Sequence, residues 1–524
     1  MAKPDRPRKR FWLLDETMSL LSVIFSAAEM LLSFSDVWLW IIIGTLIGVW
    51  IGAIPGVSAV TALSVLLIPS TYLEPIVGIA FLTAIYCGSL MGGSISATLL
   101  NVPGTPGAVA TCFDAFPMTK RGEHHEALGL SLISSTFGCL ISWILVLCMF
   151  GPITGIVLKF GPAEMLMVVV FALTMMGVAG VGMRKTLIGA TFGMLLAAVG
   201  SSAYGYARAN LGMAALIEGI NSVPFIIGMF AVSELFFILE KNTIVEGGKV
   251  AKKGIKASAK GVLHGFQLFF SHKITMIRSA IVGMLVGLLP AAGSSVASVV
   301  CYGLAQNSSK EPETYGKGNP DGIVAAETAN NAAEGGAIAV LMAFGIPGSG
   351  AAAILMSSFI MLGLTPGPSL IRDNAEFAYA VILVNIITGF LLLAVGFLFV
   401  LFFSGVVNVP PRILVPIVVL FTFFGSASVR GFTLECVLMV IFGAVGYFYR
   451  KGGYPVLSLV LGFILGSMLE GNLVRTLLLY QSNYLGVFSS KIVVFLIVCT
   501  VLMFFWPKAK KAFEMRRAEK NRKQ

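Results

Sequence analysis

Between Glu327 and Glu334 the chain reads Glu-Thr-Ala-Asn-Asn-Ala-Ala-Glu, at the head of an apolar run. On a helix, Glu327, Asn331 and Glu334 fall at i, i+4 and i+7 and share one face, with Asn330 beside it. Ionisable groups inside a membrane-length segment are costly and mark ion or substrate paths. A carboxylate flanked by amides suits a hard cation such as sodium, or a proton. The competing reading leaves the stripe at a solvated surface, which Asp321 just upstream allows.

Two loops offer the complementary chemistry, for an anion. Residues 101–107 read Asn101-Val102-Pro103-Gly104-Thr105-Pro106-Gly107, and their counterpart is Gly345-Ile346-Pro347-Gly348-Ser349-Gly350. Proline and glycine at this density force an extended or turning backbone. Irregular backbone at membrane depth survives only where it lines a cavity or is buried in protein. A loop that runs into a helix N-terminus can hold a carboxylate through aligned amides and the positive dipole end. The candidate substrate residues are therefore Pro103, Gly104, Thr105, Pro347, Gly348 and Ser349. Exposed carbonyls nearby would take a cation, with Asn101, Glu327, Asn330, Asn331 and Glu334 as candidates for binding or coupling it. A surface turn between two spans is the alternative for each loop.

These loops belong to a duplicated frame. Gly48, Gly52 and Pro55 stand at G-x3-G-x2-P, and Gly283, Gly287 and Pro290 repeat the spacing. Glycines one turn apart let another backbone approach closely. Pro55, Gly56 and Pro290 are read as helix breaks, because proline removes an N–H and frees carbonyls that need partners. Two halves with hydrophobic segments interrupted at corresponding places point to a secondary transporter.

Composition makes the chain a membrane protein. It is 57% hydrophobic and 12% charged, and apolar runs long enough to cross a core of about 30 Å recur along it. Alternating strand patterning is absent, so the spans are helices and the fold class is an all-α polytopic membrane protein. About twelve transmembrane helices are expected, in two repeats with broken or re-entrant helices. The domains read as a tail and first apolar helix over 1–36, repeat 1 over 37–240, and a basic linker over 241–273. Repeat 2 with additional C-terminal helices follows over 274–506, then a basic tail over 507–524. Positive charge puts both tails and the linker in the cytoplasm. If residues 17–34 cross once before repeat 1, the repeats are inverted, which is the favoured reading; if they lie on the surface, the repeats are parallel.

Other chemistries find little support. The net charge of +11 flanks spans and lacks interleaved aromatics, so nucleic acid is not expected as a partner. Seven cysteines form no C-x-x-C pair, so neither a disulfide framework nor a zinc site is implied. The four histidines, His124, His125, His264 and His272, fall in polar loops, and adjacent residues such as His124 and His125 would point apart on a helix, so no metal site is expected. Asp15 and Glu16 interrupt the basic N-terminus and no small-residue cleavage site follows it, so a removable signal peptide is not expected. No H-E-x-x-H, G-x-S-x-G or paired-aspartate motif suggests an enzyme. A channel could also use glycine-rich loops, but most such channels assemble around a symmetry axis. Asp114, Glu164, Glu234, Arg208 and Arg475 read as span-end or paired structural charges.

With these residues in place the chain resembles the TctA family, the large membrane subunit of the tripartite tricarboxylate transporters, from about residue 37 to residue 480. The matching blocks are Gly48-x3-Gly52-x2-Pro55-Gly56, Tyr86-x-Gly88-x4-Gly93-Ser94-Ile95 through Pro103-Gly104-Thr105-Pro106, and Thr111-x2-Asp114-x2-Pro117-Met118. The second half adds Glu327-x2-Asn330-Asn331-Ala332, Ile346-Pro347-Gly348-Ser349, Gly363-Leu364-x-Pro366-Gly367-Pro368 and Leu461-Gly462-x3-Gly466-x3-Glu470-x-Asn472-x2-Arg475. The resemblance implies a multi-pass protein of the bacterial inner membrane that imports carboxylates such as citrate by symport with sodium or protons. It implies two protein partners, a small four-span membrane subunit and a periplasmic solute-binding protein, with membrane lipids around it. No cofactor is implied beyond the coupling ion. Ala291, Ala326, Ala115 and Gly200-Ser201-Ser202 depart from the family pattern, which bears on substrate and coupling ion more than on fold. A different small anionic solute is the alternative cargo.

Overall fold

The computed structural model describes residues 12–54, 57–179, 183–202, 206–240, 255–290, 292–403, 433–481 and 483–502, with four short pieces between 415 and 427. Pro55, Gly56, Ala291, the first part of the linker and the tail 507–524 lie outside the described residues.

The chain is helical, as the apolar runs require. The first half opens with α1 (Trp12–Ser33), which precedes the repeat, then α2 (Asp36–Gly52), α3 (Ala59–Ser70), α4 (Pro75–Leu100) and α5 (Val109–Lys120). Then come α6 (His124–Val157), α7 (Pro162–Ala179), α8 (Met183–Ala197), α9 (Ser222–Ile227), a π-helical turn (Gly228–Val232) and α10 (Ser233–Glu240). The second half runs α11 (Ile255–Ser271), α12 (Lys273–Gly287), α13 (Gly293–Ser308), α14 (Pro320–Phe344), α15 (Gly350–Met361), α16 (Pro368–Asp373) and α17 (Ala375–Phe403). It ends with α18 (Thr433–Lys451), α19 (Val456–Leu479) and the apolar helix α20 (Lys491–Leu502). The described strands are a two-residue antiparallel pair, β1 (Gly200–Ser201) and β2 (Ala207–Arg208).

The count of crossings differs from the expected twelve. Among the described residues five helices are long and apolar enough to span a membrane, or seven if two bent pairs each count once. Those pairs are α1–α2, bent by 84°, and α11–α12, bent by 82°. Several apolar segments are helices of only 12–16 residues, too short to span on their own. The segment 276–305, continuous by hydropathy, is divided at Pro290, where the buried proline lies between α12 and α13.

The duplication is realised in packing. A Cβ on Gly48 would strike the Ile85 carbonyl and one on Gly52 that of Ser89, so α2 lies backbone against backbone on α4. Gly283 meets Ala329 and Gly287 meets the Ala333 carbonyl in the same way, fixing α12 on α14. Gly104 then abuts the Gly52 carbonyl and Gly348 the Gly287 carbonyl, so each Pro-Gly loop folds back onto its own broken helix. Both α4 and α14 end in a left-handed residue, Asn101 at φ 58° and Gly345 at φ 70°, which reverses the chain into the loop.

The two halves interlock. Helix α6 of the first half packs on α11, α12 and α14, whereas α17 of the second half packs on α1, α2 and α4. Gly78 near the start of α4 sits close to Leu362 just past α15. The Thr119 hydroxyl near the end of α5 donates to the Thr98 carbonyl near the end of α4 at 2.7 Å. Arg121 donates to the carbonyls of Lys317 and Gly318 ahead of α14. Asp114 reinforces that junction as a structural carboxylate, accepting from the Gly318 and Asn319 amides at 2.8 Å and from the Tyr302 hydroxyl at 2.9 Å. A second body of α7, α8, α9, α10, α18 and α19 lies beside this core.

The histidines correct the expectation of loops. His124 and His125 open α6, are buried, and lie with ring centroids 4.1 Å apart and planes tilted by 43°, with His125 Nε2 3.0 Å from Ser258 Oγ. His264 lies within α11, whose glycines sit flush on α6 and bring that part of the linker down onto the core.

Gly52→Ala and Gly287→Ala each force a Cβ into a carbonyl, an overpacking cost of about 1–3 kcal/mol. Both variants should therefore melt earlier than the parent when thermal stability is followed by size-exclusion chromatography in detergent. Unchanged melting of both would show that the helix pairs are not held by this contact.

Candidate functional site

The two loops meet at one cavity of about 180 Å³. Ser58, Ala59 and Val60 open α3 there, and Thr105 and Pro106 open the turn into α5. Gly293, Ser294 and Ser295 open α13, and Ser349, Gly350 and Ala351 open α15. Four helix N-termini thus face one space, two from each half and at equivalent places in the duplication. Tyr86, Leu90, Phe230 and Leu457 complete the wall, the last two from the second body. No lysine or arginine is in that lining. Partial positive charge at such a place comes from N–H groups and helix dipoles.

Side chains prepare the space. Ser349 Oγ accepts from the Ala352 amide at 3.2 Å, as an N-cap, and lies 3.1 Å from the Tyr86 hydroxyl. Ser58 caps α3 in the same manner. Thr105 Oγ1 is buried and has no hydrogen-bond partner among the described residues. A buried hydroxyl of this kind is satisfied by a ligand or by water.

The acidic and amide stripe lies in the protein interior rather than at a solvated surface: Glu327, Asn330, Asn331 and Glu334 are each 0% exposed. It does not form one cluster. Glu327 accepts from Thr111 Oγ1 and from Ser135 Oγ (2.9 Å), which ties α14 to α5 and α6. Asn330 reaches the cavity wall, donating to the Leu90 carbonyl at 3.4 Å and pressing its amide oxygen on Gly107. Asn331 donates to the Cys87 carbonyl at 3.3 Å. Glu334 lies with Cys87 and Cys139, whose sulfurs are 3.5 Å apart, all three offering ligand atoms within 4.8 Å. Both Glu334 oxygens and the amide oxygens of Asn330 and Asn331 lack a donor among the described residues. A carboxylate at this depth needs a proton or a cation. Two thiols with a carboxylate form a set that softer metals prefer.

The other sequence candidates separate by position. Pro103 and Gly104 line a wider vestibule of about 470 Å³ that adjoins the cavity. Pro347 and Gly348 are buried behind Ser349, Gly348 against Ala337 and the Gly287 carbonyl. Asn101 is exposed at the end of α4 and is not brought to Asn330. Of the remaining singled-out charges, Glu164 caps α7 by accepting from the Gly161 amide, and Arg208 pairs with Glu470 at 2.8 Å. The reading missed Ser58, Ser294, Ser295, Tyr86 and Phe230. The first three follow the helix breaks directly and could have been found from the repeat, whereas Phe230 comes from a distant segment with no motif.

Fold and site define a multi-pass helical membrane protein built on a duplicated pair of broken helices. Residues 38–461 match the sequence model of the tripartite tricarboxylate transporter TctA family, and the chain belongs to that family. It is similar to an uncharacterized 52.8 kDa protein in the TAR-I ttuC' 3' region of Agrobacterium vitis, at 30% identity over 449 residues, covering 85% of this chain and 88% of that protein. An uncharacterized protein in the TAR-II ttuC' 3' region of the same organism is 30% identical over 201 residues, 38% of this chain and 83% of its own length. No solved structure matches. Membership makes the chain a transporter component rather than an enzyme, and one subunit of a system with others.

Ser349→Leu would fill the cavity with a side chain while leaving the helices their length, so it should abolish solute uptake with normal membrane insertion. Full uptake by that variant would remove this cavity from the transport path. Tyr86→Phe deletes one hydroxyl partner, a loss of about 0.5–1.5 kcal/mol, and should shift half-saturation by several-fold at most.

Proposed function

We propose that this chain is the transporting subunit of a bacterial inner-membrane symporter that imports tricarboxylates or related carboxylates, fed by a periplasmic solute-binding protein and accompanied by a small four-span subunit. The observation that carries the reading is the convergence of four helix N-termini, from equivalent places in both halves, on one cavity without a lysine or arginine in its lining. Backbone amides and the hydroxyls of Thr105 and Ser349 would hold the substrate carboxylates. The cavity is smaller than the roughly 300–1,000 Å³ of drug-sized sites, which favours a small acid.

Substrate charge held only by dipoles calls for a companion cation. Asn330 behind the cavity wall, and Glu327 and Glu334 deeper in α14, are the groups proposed to bind sodium or a proton. The proposed topology keeps about twelve membrane segments in two inverted repeats, counting the short helices that enter and turn back. Support for inversion comes from the ends of the equivalent helices. Helix α4 starts where α15 finishes, whereas α14 starts where α5 finishes. Substrate lies between the core and the second body, so movement of one against the other would carry it across.

Uptake of labelled carboxylates by a transport-deficient bacterial host, with candidate partner subunits present and with or without a sodium gradient, tests the reading. One acid should enter in a saturable, binding-protein-dependent way. Glu327→Gln keeps the shape of the side chain and should uncouple that uptake from the cation gradient. Uptake of no carboxylate despite confirmed insertion and partner assembly would reassign the chain to a different small anionic solute. Flux that neither saturates nor follows a gradient would favour a channel.

A further inference from the structure

The cavity and the vestibule adjoin, sharing Ser58, Val60, Thr105, Pro106 and Phe230 as walls. The vestibule adds what the cavity lacks, a cationic side chain: Arg450, at the end of α18, faces Glu234 of α10 there. Two other cations stand nearby, but neither lines the vestibule. Lys451 is held by Glu240 at 2.8 Å and Tyr447 at 2.9 Å, and Lys185 by the Gly452 and Gly453 carbonyls at 3.1 Å.

The guanidinium is poised rather than saturated. Arg450 Nη1 donates to Glu234, and its Cζ lies 4.6 Å from the Phe237 ring centroid, which fixes the plane. Nε and Nη2 make no further hydrogen bond to the described residues. The arginine side chain is 40% exposed and that of Glu234 only 14%, so the cation is the accessible partner. A planar fork with free donors takes a carboxylate in bidentate fashion.

We propose that the Arg450–Glu234 pair is a second, transient carboxylate site, where a solute moving between the central cavity and the rim exchanges for Glu234 on the guanidinium. The proposal rests on the carboxylate reading of the central cavity. Glu234 keeps the site from trapping the solute, since it already holds Nη1, one of the donors the solute would take. A plain strut between α10 and α18 is the competing account.

The test reads Arg450 directly. Full-length protein in detergent at low ionic strength is treated with phenylglyoxal, and modification of Arg450 is followed by peptide mass spectrometry. Citrate, compared with chloride at matched ionic strength, should slow the reaction about two- to fivefold, the range of a partly exposed ion pair. Glu234→Gln should speed the reaction without citrate and keep the protection. Equal rates in citrate and chloride for both the parent and Glu234→Gln would overturn the proposal. Arg450→Lys separates site from strut: it keeps the charge and loses the fork, so slower turnover with unchanged half-saturation supports the site, and full turnover overturns it. Ser349→Leu should retain the citrate protection. Full uptake by Ser349→Leu would instead count against the central cavity, whatever Arg450 does.

Discussion

The structure depends on backbone lying against backbone at the two glycine-lined helix pairs. A broken helix within a membrane leaves carbonyls and amides that water cannot reach, and each unpaired group there is costly. Gly48 and Gly52 let α2 settle onto α4, and Gly283 and Gly287 do the same for α12 on α14. Each Pro-Gly loop is then held over the carbonyl of the last glycine before the break, through Gly104 and Gly348. With any of these approaches opened by a side chain, the loop would lose its seat and the helix that follows would no longer aim its N-terminus at the cavity.

Electrostatics follows from that seating. The cavity gathers positive potential from peptide dipoles instead of cationic side chains, and the buried carboxyl groups of the core sit behind it on α14. Glu327 is nested among hydroxyls, whereas Glu334 has thiols for neighbours and no donor of its own. Two carboxyls seven residues apart on one helix therefore occupy different chemical surroundings. An arrangement in which anion-favouring and cation-favouring groups adjoin through Asn330 suits the passage of both together.

Much of this was legible in the sequence because glycine and proline report backbone needs wherever they stand. The repeated G-x3-G-x2-P and the paired Pro-Gly loops marked the breaks, and Thr105 and Ser349 do face the cavity. The stripe from Glu327 to Glu334 is helical and buried, yet its period said nothing of which neighbours divide it into separate environments. Asn101 resembled its amide neighbours in type, but its place as the left-handed last residue of α4 turns it outward. Hydropathy did not separate crossing from re-entrant segments, because an apolar run of twelve to sixteen residues looks alike whether it crosses or turns back. Tyr86, Phe230 and Arg450 needed the fold, since their partners lie far off in sequence and carry no spacing rule.

The exchange of α6 and α17 between the halves bears on how the molecule is made. Helix α6 leaves the ribosome long before α12 and α14, the surfaces on which it rests, and α17 must travel back to helices inserted at the very start. The first half therefore waits in the bilayer with a polar helix face uncovered, bearing Ser135 and Ser142 whose partners on α14 do not yet exist. Its interior closes only once α17, which ends at Phe403 of the 524 residues, has been synthesised. A nascent chain stalled before α14 would thus present buried-type hydroxyls to lipid, a state that insertion factors and membrane proteases are suited to detect.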